Sequence, residues 1–168
     1  MTDASLRGDC SRCVGLCCVA LAFDRDTKFA FDKAAGEACR HLEATNGCAI
    51  HARLAAEGMT GCASYDCRGA GQIATALFAA TSWRDHPATA RLMFAAFAKL
   101  REIQLLRALV GDRSAELMKR LAPVSGWTLA GVMSLDMAAI RREAAAALAP
   151  AAETGASGRH REIRTNGS

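Results

Sequence analysis

The chain has 168 residues, of which 51% are hydrophobic and 23% are charged, a balance typical of a folded globular protein. Its net charge of +4 is modest, and most of the positive excess lies in residues 71–150. A charge of this size argues against the dense basic stripe of a nucleic-acid binder, although it could support a weak contact with an acidic partner.

The beginning of the chain, MTDASLRGDC, contains acidic residues and no apolar run of the roughly seven residues that a secretory signal needs. Apolar runs elsewhere fall well short of the ~20 residues that cross a bilayer. We therefore expect a cytoplasmic protein with no membrane segment. Disulfides are uncommon in a reducing cytoplasm, where closely spaced cysteines more often bind metal.

All eight cysteines lie between Cys10 and Cys67, which divides the chain by composition. We predict a cysteine-rich metal-binding region over residues 1–70, a helical bundle over residues 71–150 and a disordered tail over residues 151–168. The fold class that follows is mainly α. An irregular, cysteine-rich, metal-bound N-terminal region would pack on a small helical bundle.

Regular structure is sparse before residue 71. The segment LAFDRDTKFAFDKAAG, residues 21–36, alternates weakly and predicts either a short hairpin or an irregular wrap. The segment AIHARLAAEG predicts a short helix from Ala49 to Glu57, with Gly58 as its C-terminal cap.

Helical patterns dominate after residue 71. QIATALFAATSW, residues 72–83, predicts one helix, and a second is expected to begin at Pro87 and to stop at Gly111. Apolar residues in this second helix recur every three or four positions and form one stripe, which we expect to be core. The stripe consists of Met93, Phe97, Leu100, Ile103, Leu106 and Val110.

Two further helices are predicted towards the end of the chain. DRSAELMKRLA, residues 112–122, should end at Pro123. SLDMAAIRREAAAALA, residues 134–149, should begin at a Ser134 cap and stop before Pro150.

Four cysteines fall within nine positions in the run CSRCVGLCC: Cys10, Cys13, Cys17 and Cys18. A C-x2-C pair is a common chelating unit, because a tight turn brings both sulfurs onto one ion, and Gly15 can supply a further turn. The side chains of adjacent cysteines tend to point in different directions, so one of that pair could serve a separate role. More distant chain supplies the remaining candidate ligands, Cys39, Cys48, Cys62 and Cys67.

Thiolates are soft ligands that suit zinc, iron–sulfur clusters and Cu(I). Eight thiols could form two four-ligand sites, or one site plus free or redox-active cysteines. A disulfide scaffold would need an oxidising compartment. Buried cysteines acting as small apolar residues would not explain four within nine positions.

A few other polar residues lie close to the cysteines along the sequence. Cys48 and His51 have ligand-like spacing, although His51 could simply cap or pack, and His41 is a weaker candidate. Tyr65 and Asp66 precede Cys67, and the simpler interpretation makes them a core aromatic and a turn residue.

The runs CSRCVGLCC, ACRHL, GCAIH and GCASYDC resemble the CxxCxxxCC-type family of zinc- or iron-chelating domains. The resemblance covers roughly residues 8–72. It aligns Cys39 with the family's cysteine before an apolar pair, Cys48 with its Gly-Cys, and Cys62 and Cys67 with its last two cysteines. The chain departs from the family in lacking an Arg-Pro step before these last two.

A similar cysteine-rich segment precedes pentapeptide repeats in some actinobacterial proteins, but this chain contains no such repeat. Relatives of the flagellin lysine methylase type carry an iron–sulfur cluster in this kind of segment. The resemblance therefore implies a bound metal and does not name a reaction.

Three functions remain open from the sequence. The first is a cytoplasmic protein that holds zinc or an iron–sulfur cluster through the eight cysteines and docks an unidentified protein partner. The second is an iron–sulfur enzyme or enzyme subunit in redox chemistry or protein or peptide modification. The third is a zinc-stabilised interaction module, although binding to nucleic acid is not expected. The segment RGAGQ lacks the glycine patterns of nucleotide-binding loops.

Overall fold

One long helix, α4, organises the computed structural model, which describes residues 4–78 and 81–150. It spans Pro87–Val110, begins with a proline in its first turn and ends at Gly111, whose φ of 50° is unfavourable for residues with a side chain. Five of the six stripe residues are buried and Leu106 is half-buried, which confirms the predicted core face. The predicted tail lies outside the described residues.

The described part of the chain is mainly helical, as predicted. Its other α-helices are short and are arranged around α4: α1 (Leu16–Ala20), α2 (Thr60–Ser64), α3 (Ala70–Ala76), α5 (Ala115–Leu121), α6 (Leu129–Ser134) and α7 (Met137–Leu148). Helices α1, α3, α5, α6 and α7 all contact α4. Single 3₁₀ turns occur at Ala4–Leu6, Cys10–Arg12, His51–Arg53 and Gly111–Arg113.

The predicted helix from Ala49 to Glu57 is wrong in type. Only a 3₁₀ turn, His51–Arg53, forms there, and turns follow it up to Gly58. Gly58 does adopt a positive φ of 69°. The segment is largely exposed, and Ile50 is its only buried side chain, which is too little to stabilise a longer helix.

The helix predicted over residues 72–83 is also displaced, because α3 begins at Ala70 and ends at Ala76. Residues 79 and 80 lie outside the described residues. The segment over residues 21–36 forms an irregular wrap with one antiparallel bridge, between Phe23 and Lys33, and no strand occurs among the described residues.

The last helices differ from prediction at their starts. Helix α5 begins at Ala115, where the Ser114 side chain caps it by accepting a hydrogen bond from the Leu117 backbone N–H. Helix α7 is capped by Asp136. Ser134, the predicted cap of α7, is instead the last residue of α6, a helix that was not predicted.

The cysteine-rich region and the helices share one core. Leu16 and Val19 from α1 and Ala70 and Ala74 from α3 belong to the same buried cluster as Phe97 of α4. Polar contacts also join the two parts: the Trp83 indole N–H donates to the Val14 carbonyl oxygen at 2.8 Å. Helix α4 thereby fixes the positions of the first cysteines. Within the described residues, no helix combines the length and apolar character needed to cross a membrane.

Candidate metal centre

The C-x2-C pair is held in a tight turn. The Asp9 side chain accepts a hydrogen bond from the Ser11 backbone N–H at 3.1 Å, and the Cys13 N–H closes the turn onto the Cys10 carbonyl at 3.2 Å. Gly15 then adopts a left-handed φ of 74° and leads directly into α1, which carries the adjacent cysteines of the run CSRCVGLCC. Local turn chemistry therefore places the first four thiols on one short, compact segment.

Cys10, Cys13 and Cys67 form what we call the first thiol group, located at the N-terminal end of α3. A Cβ atom placed on Gly71 would lie 2.8 Å from the Cys13 Sγ and 3.7 Å from the Cys67 Sγ. The Cys13 sulfur therefore occupies the space that the missing side chain leaves, and the Cys67 sulfur lies at ordinary contact distance. Burial raises the pKa of Cys10, and the neighbouring thiols of Cys17, Cys13 and Cys67 raise it further.

Cys39, Cys48 and Cys62 form the second thiol group. The Cys39 N–H donates to the Cys18 carbonyl at 2.9 Å, and an antiparallel bridge pairs Leu42 with Cys48. Burial raises the pKa of Cys62 to about 11, with further contributions from Cys17 and the other thiols of the group. Short loop contacts thus bring together sulfurs that are distant in sequence.

The adjacent pair Cys17 and Cys18 joins the two thiol groups. Their Sγ atoms lie 3.8 Å apart, contrary to the expectation that the two side chains diverge. The Cys18 thiol and burial together raise the pKa of Cys17 far above its ordinary value. Cys17 contributes to the raised pKa of both Cys10 and Cys62, which places it between the groups.

A buried lysine lies beside the thiols. Lys33 is only 4% exposed, and its ammonium donates to the carbonyl oxygens of Val19, Ala34 and Glu37 at 3.3, 3.0 and 2.8 Å. Burial lowers the pKa of Lys33, while Cys39 is the largest influence that opposes this. The ammonium would stabilise negative charge on these sulfurs, because opposite charges attract more strongly away from water.

A cavity of about 640 Å³ opens between the two thiol groups. Cys10, Cys13, Cys48 and His51 contribute to its walls. His51 is exposed, and the cavity gives it access to the same space as three of the thiols. His41, the weaker histidine candidate, instead makes an edge contact with Phe31 at 5.7 Å between ring centroids.

All eight cysteines are free thiols, so the disulfide alternative does not describe this structure. Their donor chemistry fits a soft metal. Among residues 4–78 and 81–150, however, no three side chains of His, Cys, Asp or Glu are arranged so that they could hold one ion. The structure gathers the predicted ligands into two neighbourhoods without bringing them into coordination geometry.

The two polar neighbours of Cys67 differ in their surroundings. The Asp66 carboxylate accepts a hydrogen bond from the Arg68 backbone N–H at 2.7 Å, as expected of a turn residue. The Tyr65 hydroxyl is buried beside the Arg101 side chain. Burial raises the pKa of Tyr65 to about 12, and the nearby positive charge of Arg101 opposes that change.

Sequence reasoning missed Lys33 and the steric role of Gly71. Lys33 lies in a charged, weakly alternating segment whose pattern resembles that of exposed lysines. The sequence offered only one hint that Lys33 is buried, namely that Phe23 and Phe31 lie ten and two residues before it. Gly71 lies inside α3, where its missing side chain leaves room for the Cys13 sulfur.

No protein family model matches the chain, and no solved structure matches it. The chain is similar to the uncharacterized protein YybG of Bacillus subtilis (strain 168), with 41% identity over 99 residues. The match covers 58% of this chain and 36% of YybG, so the chain spans little more than a third of that relative. The resemblance to CxxCxxxCC-type domains therefore stays a prediction.

Proposed function

We propose that this protein binds zinc or an iron–sulfur cluster through its clustered cysteine thiolates. The observation that carries the proposal is the gathering of eight free thiols, from positions as distant as Cys10 and Cys67, into two adjoining neighbourhoods. Each thiol group supplies three sulfurs. Cys17 and Cys18, placed between the groups, would supply the fourth ligand of each.

The environment of the sulfurs favours metal over isolated thiolates. Burial and mutual proximity raise the pKa of Cys10, Cys13 and Cys62, so without a cation these groups stay protonated near neutral pH. A bound metal ion removes the proton from a coordinating thiol by stabilising the thiolate. Lys33 adds a second positive charge beside the second group.

Metal binding would require the cysteine side chains to rotate towards common points. Each cysteine has a single side-chain dihedral angle before its sulfur, and staggered alternatives are close in energy. The metal would then stabilise loop-rich chain that has little core of its own, since binding free energy becomes folding free energy. A closed shell of four protein sulfurs would make the role structural or electron-transferring rather than hydrolytic.

The proposed location is a reducing compartment such as the cytoplasm, because thiols remain free there. The same hypothesis includes a protein partner that docks on the helices. Neither feature is needed for the metal to bind.

The experiment is anaerobic purification followed by elemental analysis and an absorption spectrum of one sample. Stoichiometric iron and sulfide with sulfur-to-iron charge-transfer absorption would identify a cluster. Whole-number zinc in a colourless protein would identify a tetrahedral thiolate site. A protein that contains neither metal after purification and reconstitution would refute the proposal.

A further inference from the structure

The outer face of α4 is apolar, although it lies opposite the core and faces solvent. Leu105 is 44% exposed and Leu109 is 47% exposed, and they are separated by about one helical turn. Ala98 is exposed on the same face, and Phe94 is half-buried there. Helical geometry puts these four residues, which we call the outer seam, within an arc of about 60°.

An apolar outer seam is unusual in a helix whose opposite side already forms the core. A helix at the surface normally carries polar residues on the side that faces water, whereas a helix that is apolar all round is covered on both sides. Contiguous exposed apolar patches commonly mark sites of protein contact. A cavity of about 700 Å³ lies beside Ala98 and Leu105, so the chain leaves space next to the outer seam.

Opposite charges lie at the two ends of the outer seam. Arg91 is exposed near the beginning of α4, three residues before Phe94, and Asp112 is exposed in the 3₁₀ turn that follows α4. Among residues 4–78 and 81–150, neither of them forms a salt bridge. A face that is positive at one end and negative at the other is complementary to itself when a second copy runs in the opposite direction.

One antiparallel register aligns these charges. With a two-fold axis halfway between Arg101 and Glu102, Arg91 of one copy lies opposite Asp112 of the other, and each is about 16 Å from the axis along the helix. The same register places Arg101 opposite Glu102 next to the axis. Glu102 already forms a salt bridge with Arg141 of its own chain, so the outer pair is the more informative one.

The same register also matches the apolar side chains by size. The small Ala98 lies opposite Leu105 of the second copy, and facing small and large side chains interdigitate without voids or overlap. Towards the ends of the outer seam, Phe94 lies opposite Leu109, so apolar groups meet apolar groups. Each of these contacts occurs twice in a two-fold symmetric interface.

We infer that the outer seam joins two copies of this chain in an antiparallel, two-fold symmetric dimer. Residues 151–168 are a poorer occupant, because Ile163 is the only large apolar residue among them. The outer seam contains no cysteine, so the inference does not depend on metal binding.

Sedimentation analysis of the full chain over a range of concentrations tests the inference. A reductant is present, because the exposed Cys10 could otherwise link two copies through a disulfide. We expect a monomer–dimer equilibrium with a Kd on the order of 10 µM, since a contact between two helices is small. A protein that stays monomeric at about 100 µM, roughly ten times this Kd, would overturn the inference.

A serine substitution in the outer seam tests the assigned face. Leu105→Ser should raise the Kd by about tenfold or more, because each dimer loses the burial of two leucines. Leu92→Ser is the matched control, since Leu92 is 40% exposed on the same helix but lies about 140° around it from Leu105. The control should dimerise as the wild type does. Equal Kd values for the two variants would contradict the assigned face.

A charge exchange tests the antiparallel register. Arg91→Asp and Asp112→Arg should each raise the Kd by about fivefold to tenfold, because each creates two like-charged pairs across the interface. The double variant restores opposite charges and should return the Kd to near the wild-type value. A structural effect of either change on the monomer would not be rescued by the other change. A double variant that dimerises no better than the single variants would overturn the inference.

Discussion

Gly71 lies where the sulfurs of Cys13 and Cys67 meet α3. Alanine normally stabilises a helix interior relative to glycine by roughly 0.5–1 kcal/mol. Here the added Cβ would lie 2.8 Å from the Cys13 Sγ, closer than side-chain carbons come in folded proteins. The usual benefit of alanine should therefore be reversed.

We predict that Gly71→Ala lowers the free energy of unfolding by about 1–3 kcal/mol, the ordinary cost of overpacking. Urea denaturation measures this directly. The matched control is the same change in a Cys13→Ala background, where the clashing sulfur is absent. If Gly71→Ala is equally destabilising with and without the Cys13 sulfur, the steric role is wrong.

Lys33 provides a second test at the scale of one side chain. Lys33→Met keeps the apolar stem and removes the ammonium that bonds to three carbonyl oxygens. We expect a loss of about 2–3 kcal/mol in unfolding free energy, because hydrogen bonds from a charged donor are lost, although the Val19 and Ala34 carbonyls also accept from the Gly36 and Glu37 backbone N–H groups.

The control for Lys33 is Lys28→Met, which removes the same charge from an exposed position in the same wrap. It should change stability by no more than about 0.5 kcal/mol. Thermal or urea unfolding of both variants gives the comparison. Equal effects would mean that Lys33 acts only through net charge.

Individual residue roles were only partly predictable. The C-x2-C spacing and the left-handed turn at Gly15 depend only on neighbouring residues, so they could be predicted from the sequence. The neighbours of Lys33 come from the end of α1 and from its own loop, and those of Gly71 come from residues 13 and 67. Such contacts depend on tertiary packing and leave no periodic pattern.

At the scale of one element, the start of α7 makes a definite prediction. The Asp136 carboxylate accepts hydrogen bonds from the backbone N–H groups of Ala138 and Ala139, each at 3.0 Å. These hydrogen bonds hold the pKa of Asp136 below its ordinary value of 3.8, and the bond from Ala139 has the larger effect. A carboxyl group whose folded pKa is depressed stabilises the fold above its unfolded pKa and loses that effect on acidification.

Asp136→Ala should therefore lower Tm at pH 7, and the difference from wild type should shrink as the pH falls below about 4. Circular dichroism melts across this pH range provide the measurement. Ser134→Ala, a change at the cap that the sequence suggested, should have little effect. A larger effect from Ser134 than from Asp136 would contradict the observed helix start.

Long elements were easier to predict than short ones. Helix α4 was predicted to within a residue, because a stripe over nearly five turns outweighs local ambiguity and because Pro87 and Gly111 mark its ends. Helix α6 has six residues and only one of them, Val132, is buried, so its pattern is too short to recognise. The 3₁₀ turn at His51–Arg53 forms in a segment whose only buried side chain is Ile50, so packing does not stabilise a longer helix there.

At the scale of the whole molecule, the two predicted regions share a core. Leu100 of α4 is fully buried in the cluster that also contains Leu16 and Ala74. We predict that Leu100→Ala costs about 2–5 kcal/mol and lowers the unfolding midpoint of both regions together. In a Trp83→Phe background, the fluorescence of Trp127, which packs against the core, follows the helices. Cysteine accessibility to a thiol reagent follows the cysteine region.

Leu109→Ala is the control for this change, because Leu109 is 47% exposed on the same helix. It should cost clearly less than the Leu100 change. Separate transitions for the fluorescence and thiol signals would show that the regions unfold independently, as the predicted boundary near residue 70 would suggest. Composition shows where the cysteines end, but it contains no information on which side chains pack across that point.

The central claim is that the thiols bind metal in two adjoining groups, and metal content of matched variants tests it most directly. Elemental analysis of anaerobically purified protein would compare wild type, Cys10→Ser with Cys13→Ser, and Cys39→Ser with Cys48→Ser. Arg12→Gln, an exposed change between the first two cysteines, is the control. We predict stoichiometric zinc or iron in wild type and control, and loss of part of it in each paired variant. Wild-type protein without stoichiometric metal, or paired variants that retain all of it, would contradict the account.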